Sequence, residues 1–211
     1  MLTATNLSGL DWLIHGFGLR NSEYPEPITT VKQIHSGIVI EAVPPGGERI
    51  AEADGLVTRE PGMMVGIRTA DCVPVLIADE RTRAVAAVHA GWRGTAQNIV
   101  AVAIREMTTR FGARAEDLHA AIGPAIGPCC YETGADVARQ FGTWCPEMDQ
   151  ADSARRLNLP MVNERQLRLA GVRDVWQAGA CTYCDAQKRF FSFRREKEQA
   201  GRMMSFVGRS A

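Results

Sequence analysis

The sequence predicts an α+β fold of layered type, formed as one domain over residues 1–211. Three observations carry this. Apolar runs of strand length cluster in the first half of the chain. Helical patterns are scattered among them without regular β-α-β alternation. No repeat or low-complexity linker divides the chain, and Pro44-Pro45-Gly46-Gly47 reads as a turn between two ordered stretches.

Taken in order, residues 31–34, 38–42, 63–67, 73–78 and 84–89 are apolar runs bounded by turn residues and read as strands. Asp79-Glu80-Arg81-Thr82-Arg83 is a polar turn that joins the last two into a hairpin. Thr95 caps a helix that runs to residue 110: Ile99, Val102, Ala103 and Met107 recur at helical spacing, and Gly112 follows its end. Residues 118–122 read as another strand and 135–141 as a short helix. Pro160 suits the first turn of a helix carrying Val162, Leu167 and Leu169, which Gly171 stops. Residues 172–177 and 190–194 read as late strands.

Composition narrows the function classes. Lys plus Arg and Asp plus Glu both number 24, so no surplus of charge attracts nucleic acid or an anionic membrane. The content, 23% charged and 45% hydrophobic, is that of a globular protein, and no apolar run approaches the length of a membrane span. Residues 1–10 lack the basic start and apolar core of a secretory signal, so the expected compartment is the cytoplasm. In that reducing environment the six cysteines are thiols or metal ligands.

Three separated segments each offer one imidazole or thiol: Lys32-Gln33-Ile34-His35, Thr69-Ala70-Asp71-Cys72 and Val88-His89-Ala90-Gly91-Trp92-Arg93-Gly94. Structural zinc sites close with four protein ligands, whereas catalytic ones keep three and leave a place open. On residues alone, Cys72 also fits a buried thiol, His89 a core histidine and His35 the end of a strand. The predicted hairpin brings Cys72 and His89 to neighbouring strand ends. Asp71 adjoins Cys72, and strand alternation sends the two to opposite faces, which favours a supporting role for Asp71 over a catalytic one. Arg93 and Trp92 lie between two glycines just before a helix start, where Arg93 suits an anion and Arg68 is a second cation near the metal. Cys181 and Cys184 have CxxC spacing, which binds zinc or carries redox chemistry; joined by Cys129 or Cys130 they compose a conceivable second site, but free thiols are the expectation. His15 and His119 read as structural.

Residues 53–100, the run Ile122-Gly123-Pro124-Ala125-Ile126-Gly127-Pro128-Cys129-Cys130-Tyr131-Glu132, and the tail with Cys181-Thr182, Phe190-Phe191-Ser192-Phe193-Arg194-Arg195 and Gly201-Arg202-Met203 closely resemble the YfiH family. That family is also called the multicopper polyphenol oxidase laccase-domain or peptidoglycan-editing-factor family. The resemblance implies a layered sandwich of mixed β-sheets flanked by helices. It also implies that His35, Cys72 and His89, which match the family's zinc ligands, bind one Zn²⁺ and form the catalytic centre. Two departures stand out. The segment between His15-Gly16-Phe17 and Val31 is short, so a substrate wall built there by relatives is missing or rebuilt, and Asn158 stands where an acidic residue is common.

The implied activity is a zinc-dependent purine nucleoside phosphorylase that also deaminates adenosine. Its small-molecule substrates are adenosine, inosine, guanosine and methylthioadenosine, with inorganic phosphate as co-substrate. Alternatives are an amide hydrolase acting on peptidoglycan precursors through zinc or Cys72, and a zinc-binding protein without turnover. The four histidines of the chain are too few for a multicopper laccase, and a mixed nitrogen–sulfur set suits zinc.

Overall fold

The computed structural model describes residues 1–145 and 156–210. Among these residues β1 (Leu13–Phe17), β2 (Ile28–Thr30), β5 (Met64–Thr69) and β10 (Met203–Arg209) form a four-stranded sheet in the order β1-β10-β5-β2. A six-stranded sheet runs β3-β4-β7-β6-β8-β9, built from β3 (Val39–Glu41), β4 (Gly55–Thr58), β6 (Val73–Asp79), β7 (Val85–Ala90), β8 (Leu118–Ile122) and β9 (Asp174–Gln177). Both sheets are mixed: β2 with β5, β3 with β4 and β8 with β9 are parallel, and the other pairs are antiparallel. The helices are α1 (Trp92–Ala96), α2 (Ile99–Phe111), α3 (Ala135–Ala138), α4 (Leu159–Leu169) and α5 (Phe193–Glu196).

The order of layers follows from the central hairpin. Every residue of β6 and β7 is buried, so both faces must be covered. One face, with Val75, Ile77, Ala86 and Val88, packs against Ile99, Ala103 and Met107 of α2 and Val162 and Leu167 of α4. The other, with Leu76, Val85 and Ala87, packs with Leu56 of β4 against Phe17, Val65, Ile67 and Val207 of the four-stranded sheet. The result is helices, six-stranded sheet, four-stranded sheet: mixed sheets flanked by helices, as the sequence predicts. No described helix is long and apolar enough to cross a membrane.

Most expected elements form close to their predicted bounds, and the differences have local causes. Residues 31–34 are not a strand. β2 ends at Thr30, and the backbone beyond it bends until His35 takes a left-handed φ of 59°. Residues 190–194 are not a strand either: Ser192 accepts a hydrogen bond from the Arg195 amide and caps α5. The helix expected from Thr95 to residue 110 is two helices, broken at Asn98 with φ 55°. The break lets α1 stay beside the bend that carries His35, where a Cβ on Gly94 would come within 2.9 Å of the Ser36 carbonyl, while α2 lies on the sheet. Four strands went unread. β2 has only three residues and β4 four, while β1 and β10 carry glycines and polar residues that interrupt an apolar run. Asn158, the departure from the resemblance, caps α4 by accepting the Met161 amide.

The left-handed break gives a test. Asn98→Val should cost roughly 1–2 kcal/mol of unfolding free energy, because a β-branched residue resists that conformation. Asn98→Gly should stay within about 1 kcal/mol of the parent. Urea denaturation measures both, and equal losses would contradict this account of the break.

Candidate metal centre and cleft

The hairpin register pairs Val73 with Ala90 and Pro74 with His89, so Cys72, one residue before β6, lies beside the end of β7. Residues 70–72 form the link from β5 in one sheet to β6 in the other, and Asp71 turns it with φ 88°. The segment is therefore a turn, so strand alternation does not send Asp71 and Cys72 to opposite faces. His35 arrives from the bend after β2. The ligand atoms of His35, Cys72 and His89 lie within 4.8 Å of one another, and the two imidazoles meet at 73° with centroids 4.9 Å apart. His89 is buried, Cys72 half-buried and His35 exposed, so the cluster opens on one side.

Asp54, which the sequence reading passed over, holds this cluster together. Its carboxylate is fully buried and stands 2.7 Å from His89 Nδ1. It also accepts the amides of His35 at 3.0 Å, Ser36 at 2.6 Å and Ile34 at 3.3 Å, with the Ser36 hydroxyl at 2.7 Å. Residues 34–36 give their amides to a carboxylate instead of a ladder, which is why no strand forms there. The Asp54 carbonyl accepts the His89 amide at 2.7 Å, so one residue binds both histidine-bearing segments. Burial works against the Asp54 charge, yet the hydrogen bonds from His89 and Ser36 outweigh it and hold the carboxyl down at about 2. Nδ1 of His89 therefore donates to it, leaving Nε2 for the cluster. Burial also opposes a charge on His89, but Cys72 and Asp54 overcome it and push the imidazole up to about 9. His35 is lowered, first by burial and then by the neighbouring His89.

Gly91 forms the floor of the cluster. A Cβ there would stand 3.1 Å from His35 Nδ1, 3.2 Å from Cys72 Sγ and 3.6 Å from His89 Cε1. An atom-sized cradle bounded by two imidazoles and one thiol, with a backed and oriented histidine, fits a borderline-soft divalent metal.

The open side faces a cleft of about 540 Å³ lined by the three ligand residues with Gln33, Asp71, Tyr131, Phe193 and the cations Arg68, Arg194, Lys197 and Arg202. Among the described residues Asp71 is the one carboxylate that lines it, and its oxygens are engaged. Thr182 Oγ1 donates to it at 2.6 Å, Ser192 Oγ at 3.1 Å and the Arg194 amide at 2.7 Å. It ties the C-terminal segment to the site. Arg68 lines the cleft and pairs with Glu48 at 2.7 Å. Arg93 does not line it: its exposed guanidinium lies over the Trp92 ring at 4.4 Å, although its charge reaches His35. Burial, and then the charge at Cys72, push the Tyr131 phenol up to about 12.

Asp54 left one signal in the sequence, a lone carboxylate inside the apolar run Ala53-Asp54-Gly55-Leu56-Val57. Arg194 and Arg202 lie in the tail that carries the resemblance, but nothing local there or around Lys197 assigns them to this cleft, because the chain around them folds back from the far end of the sequence. His15 and His119 are elsewhere: His15 Nε2 accepts the Ala4 amide at 3.0 Å, and His119 pairs with Asp174 at 2.6 Å.

Residues 18–210 match the family described as multi-copper polyphenol oxidoreductase laccase. A purine nucleoside phosphorylase of Deinococcus radiodurans is 39% identical over 84% of this chain and 68% of its own length. The adenosine deaminase RL5 of an unknown prokaryotic organism is 34% identical over 74% of this chain and 62% of its own length. In three dimensions the chain is similar to the Bacillus licheniformis hypothetical protein YfiH, with TM-score 0.85, 27% identity and coverage of 95% and 94% of the two chains. YlmD from Geobacillus stearothermophilus superposes with TM-score 0.78 at 31% identity, covering 87% of this chain and 74% of that one.

Two substitutions and one titration probe the cluster. Asp54→Asn should weaken binding of a divalent metal at this cluster by about 10–100-fold, the usual effect of losing a carboxylate behind a ligand histidine. Gly91→Ala should impair metal loading while leaving the far-ultraviolet circular dichroism unchanged, since its Cβ enters the cradle. A bound metal must displace the proton that His89 holds up to about 9. Apparent affinity should therefore fall as pH drops below that value, by up to about tenfold per unit. Chelator competition across pH measures all three, and a flat profile would contradict the Asp54–His89–Cys72 coupling.

Proposed function

The chain belongs to the YfiH family, the multi-copper polyphenol oxidoreductase laccase type, and on that premise we propose a zinc-dependent purine nucleoside phosphorylase that also deaminates adenosine. One observation carries the reading: a two-histidine, one-cysteine cluster open on a single side toward a cleft lined by four cations. His35, Cys72 and His89 hold the zinc. When bound it supplies Lewis acidity at one open position.

The remaining steps belong to the protein. Asp54 keeps the Nδ1 proton of His89 in place and fixes the bend that presents His35. Arg202, Arg194 and Lys197, with Arg68 across the cleft, supply the positive field that inorganic phosphate needs, and Arg93 adds its charge from beyond the lining. Tyr131 and Phe193 offer aromatic faces to a purine. The same volume serves both activities: with phosphate beside the sugar, phosphate displaces the free base from the sugar carbon, and without it water displaces the amine of the base, which leaves as ammonia. The names of the relatives support both, one being a purine nucleoside phosphorylase and another an adenosine deaminase.

A laccase is poorly served by these residues. Of the four histidines in the chain, His15 and His119 are committed to the Ala4 amide and to Asp174, which leaves two for metal.

Protein purified without chelator should carry zinc and release free base from inosine only when phosphate is present, while converting adenosine to inosine without phosphate. Cys72→Ala should lose metal from this site and both activities with the fold intact. Arg202→Ala should raise the KM for phosphate by roughly 10–100-fold, as expected for one charge-assisted hydrogen bond. Full turnover by the Cys72→Ala protein would overturn the proposal. A zinc-loaded protein inert to nucleosides would turn attention to amide substrates.

A further inference from the structure

The sequence reading expects Cys129, Cys130, Cys181 and Cys184 to be free thiols. The structure brings their four sulfurs within 4.8 Å of one another, at a distance along the chain that no local motif spans. The cause is topological. β8 and β9 are parallel neighbours, so the chain leaves both at the same end of the sheet. An isolated bridge between Ala125 and Cys181 and a hydrogen bond from the Thr182 amide to the Ala125 carbonyl carry the pairing beyond the strands. The loop after β8 then meets the turn after β9. Adjacent cysteines would point apart in a strand, but the amides of Cys130 and Tyr131 both donate to the Gly127 carbonyl. The segment is thus a tight turn, and both side chains converge.

We propose that these four cysteines form a second metal site, a closed tetrathiolate site for Zn²⁺ that is structural and separate from the His35–Cys72–His89 cluster. Four sulfurs at about 2.3 Å from one zinc lie on the order of 3.8 Å apart, a tetrahedron that this cluster reaches by small side-chain adjustments. Cys129 and Cys184 stand 3.5 Å apart, far beyond a disulfide bond of about 2.05 Å. The backbone is also arranged for thiolates. The Gly127 amide donates to Cys181 Sγ at 3.2 Å, and Cys184 and Tyr183 amides turn toward the same sulfur. A Cβ on Gly127 would fall 3.3 Å from Cys129 Sγ and 3.4 Å from Cys181 Cβ, so a side chain there would press on the sulfurs. Arg195 Nη1 donates to the carbonyls of Thr182 at 3.0 Å and Tyr183 at 2.6 Å, which places a fixed positive charge against the turn between Cys181 and Cys184.

Titration tendencies agree. Cys181 is held down at about 7: burial raises it, and the hydrogen bonds from Gly127, Cys184 and Tyr183 more than reverse that. Cys129 and Cys130 are pushed up, first by burial and then by the neighbouring sulfurs. Four crowded sulfurs without a cation cannot all ionise; Zn²⁺ binding removes the remaining thiol protons to solvent and leaves four thiolates on one ion. Both pairs attach to the cleft. Cys130 precedes Tyr131, a lining residue, and Cys181 precedes Thr182, which holds Asp71 at 2.6 Å. The site would pin the cleft wall formed by the 127–131 loop.

The test is zinc stoichiometry by elemental analysis and native mass spectrometry, on protein purified in reductant. The wild type should carry about two zinc ions per chain, and Cys72→Ala about one, in an all-sulfur shell by X-ray absorption. Cys129→Ser/Cys184→Ser should keep about one, in a mixed nitrogen–sulfur shell. If the double variant does not fold, the Cys72→Ala protein decides alone. A Cys72→Ala protein without metal, or one whose four cluster thiols all react at once with a thiol reagent in the native state, would overturn the proposal. So would a cluster recovered as disulfides in that reductant. These outcomes are independent of nucleoside turnover, which reports on the other cluster.

Discussion

A carboxylate cannot be sealed inside a protein without donors to meet it, and the rest of this molecule is arranged around that demand at Asp54. Its oxygens receive three consecutive backbone amides, one hydroxyl and one imidazole, drawn from the bend after β2 and the end of β7. Each donor does something further. The amides force residues 34–36 out of extended pairing and swing His35 into the left-handed region. The imidazole contact fixes which nitrogen of His89 remains available. Removing the carboxylate would thus release two ligand segments together, although Asp54 itself is not one of the three clustered ligands.

The site sits where it does because the two sheets must be joined. β5 belongs to one layer and β6 to the other, and the link between them is three residues, 70–72. So short a crossing requires an abrupt turn, supplied by Asp71, and it leaves Cys72 at the boundary between the layers. β7 ends beside it by antiparallel register, and Gly91 allows the chain to leave without filling the gap. A cradle thus arises from the connection itself. The C-terminal segment closes over it through the hydrogen bonds of Thr182, Ser192 and Arg194 to Asp71, bringing distant residues to the cleft.

Legibility in the sequence divided along physical lines. The central hairpin was plain, because β6 and β7 are covered on both sides and must be apolar throughout. The helices α2 and α4 were plain from their period and stops. Segments whose conformation depends on a distant partner were not. Residues 31–34 look like a strand until Asp54 takes the amides of residues 34–36 and bends the chain, and residues 190–194 look like one until Ser192 caps a helix. The three ligand residues could be picked out as residue types, with the resemblance assigning them to one metal. Asp54 could not, since its importance lies in five donors that no local pattern reveals. The cysteine quartet was legible only in part: the CxxC spacing relates Cys181 and Cys184, but the convergence of all four depends on parallel strands that no spacing reveals.

The electrostatics of the cleft follow the same logic. The chain as a whole balances 24 basic against 24 acidic residues, which argues for no charged partner. Yet Arg68, Arg194, Lys197 and Arg202 line one cleft, and the one carboxylate among its described walls, Asp71, has its oxygens bound by Thr182, Ser192 and Arg194. Folding has therefore separated charge that the composition shows as cancelled. Surface pairs such as Lys32 with Glu52 contribute little to stability, being exposed to water and salt. Cations gathered in a walled cleft act together on a bound anion, where low-dielectric surroundings strengthen the field. That separation suits an anionic ligand, and a net charge of zero is no evidence against one.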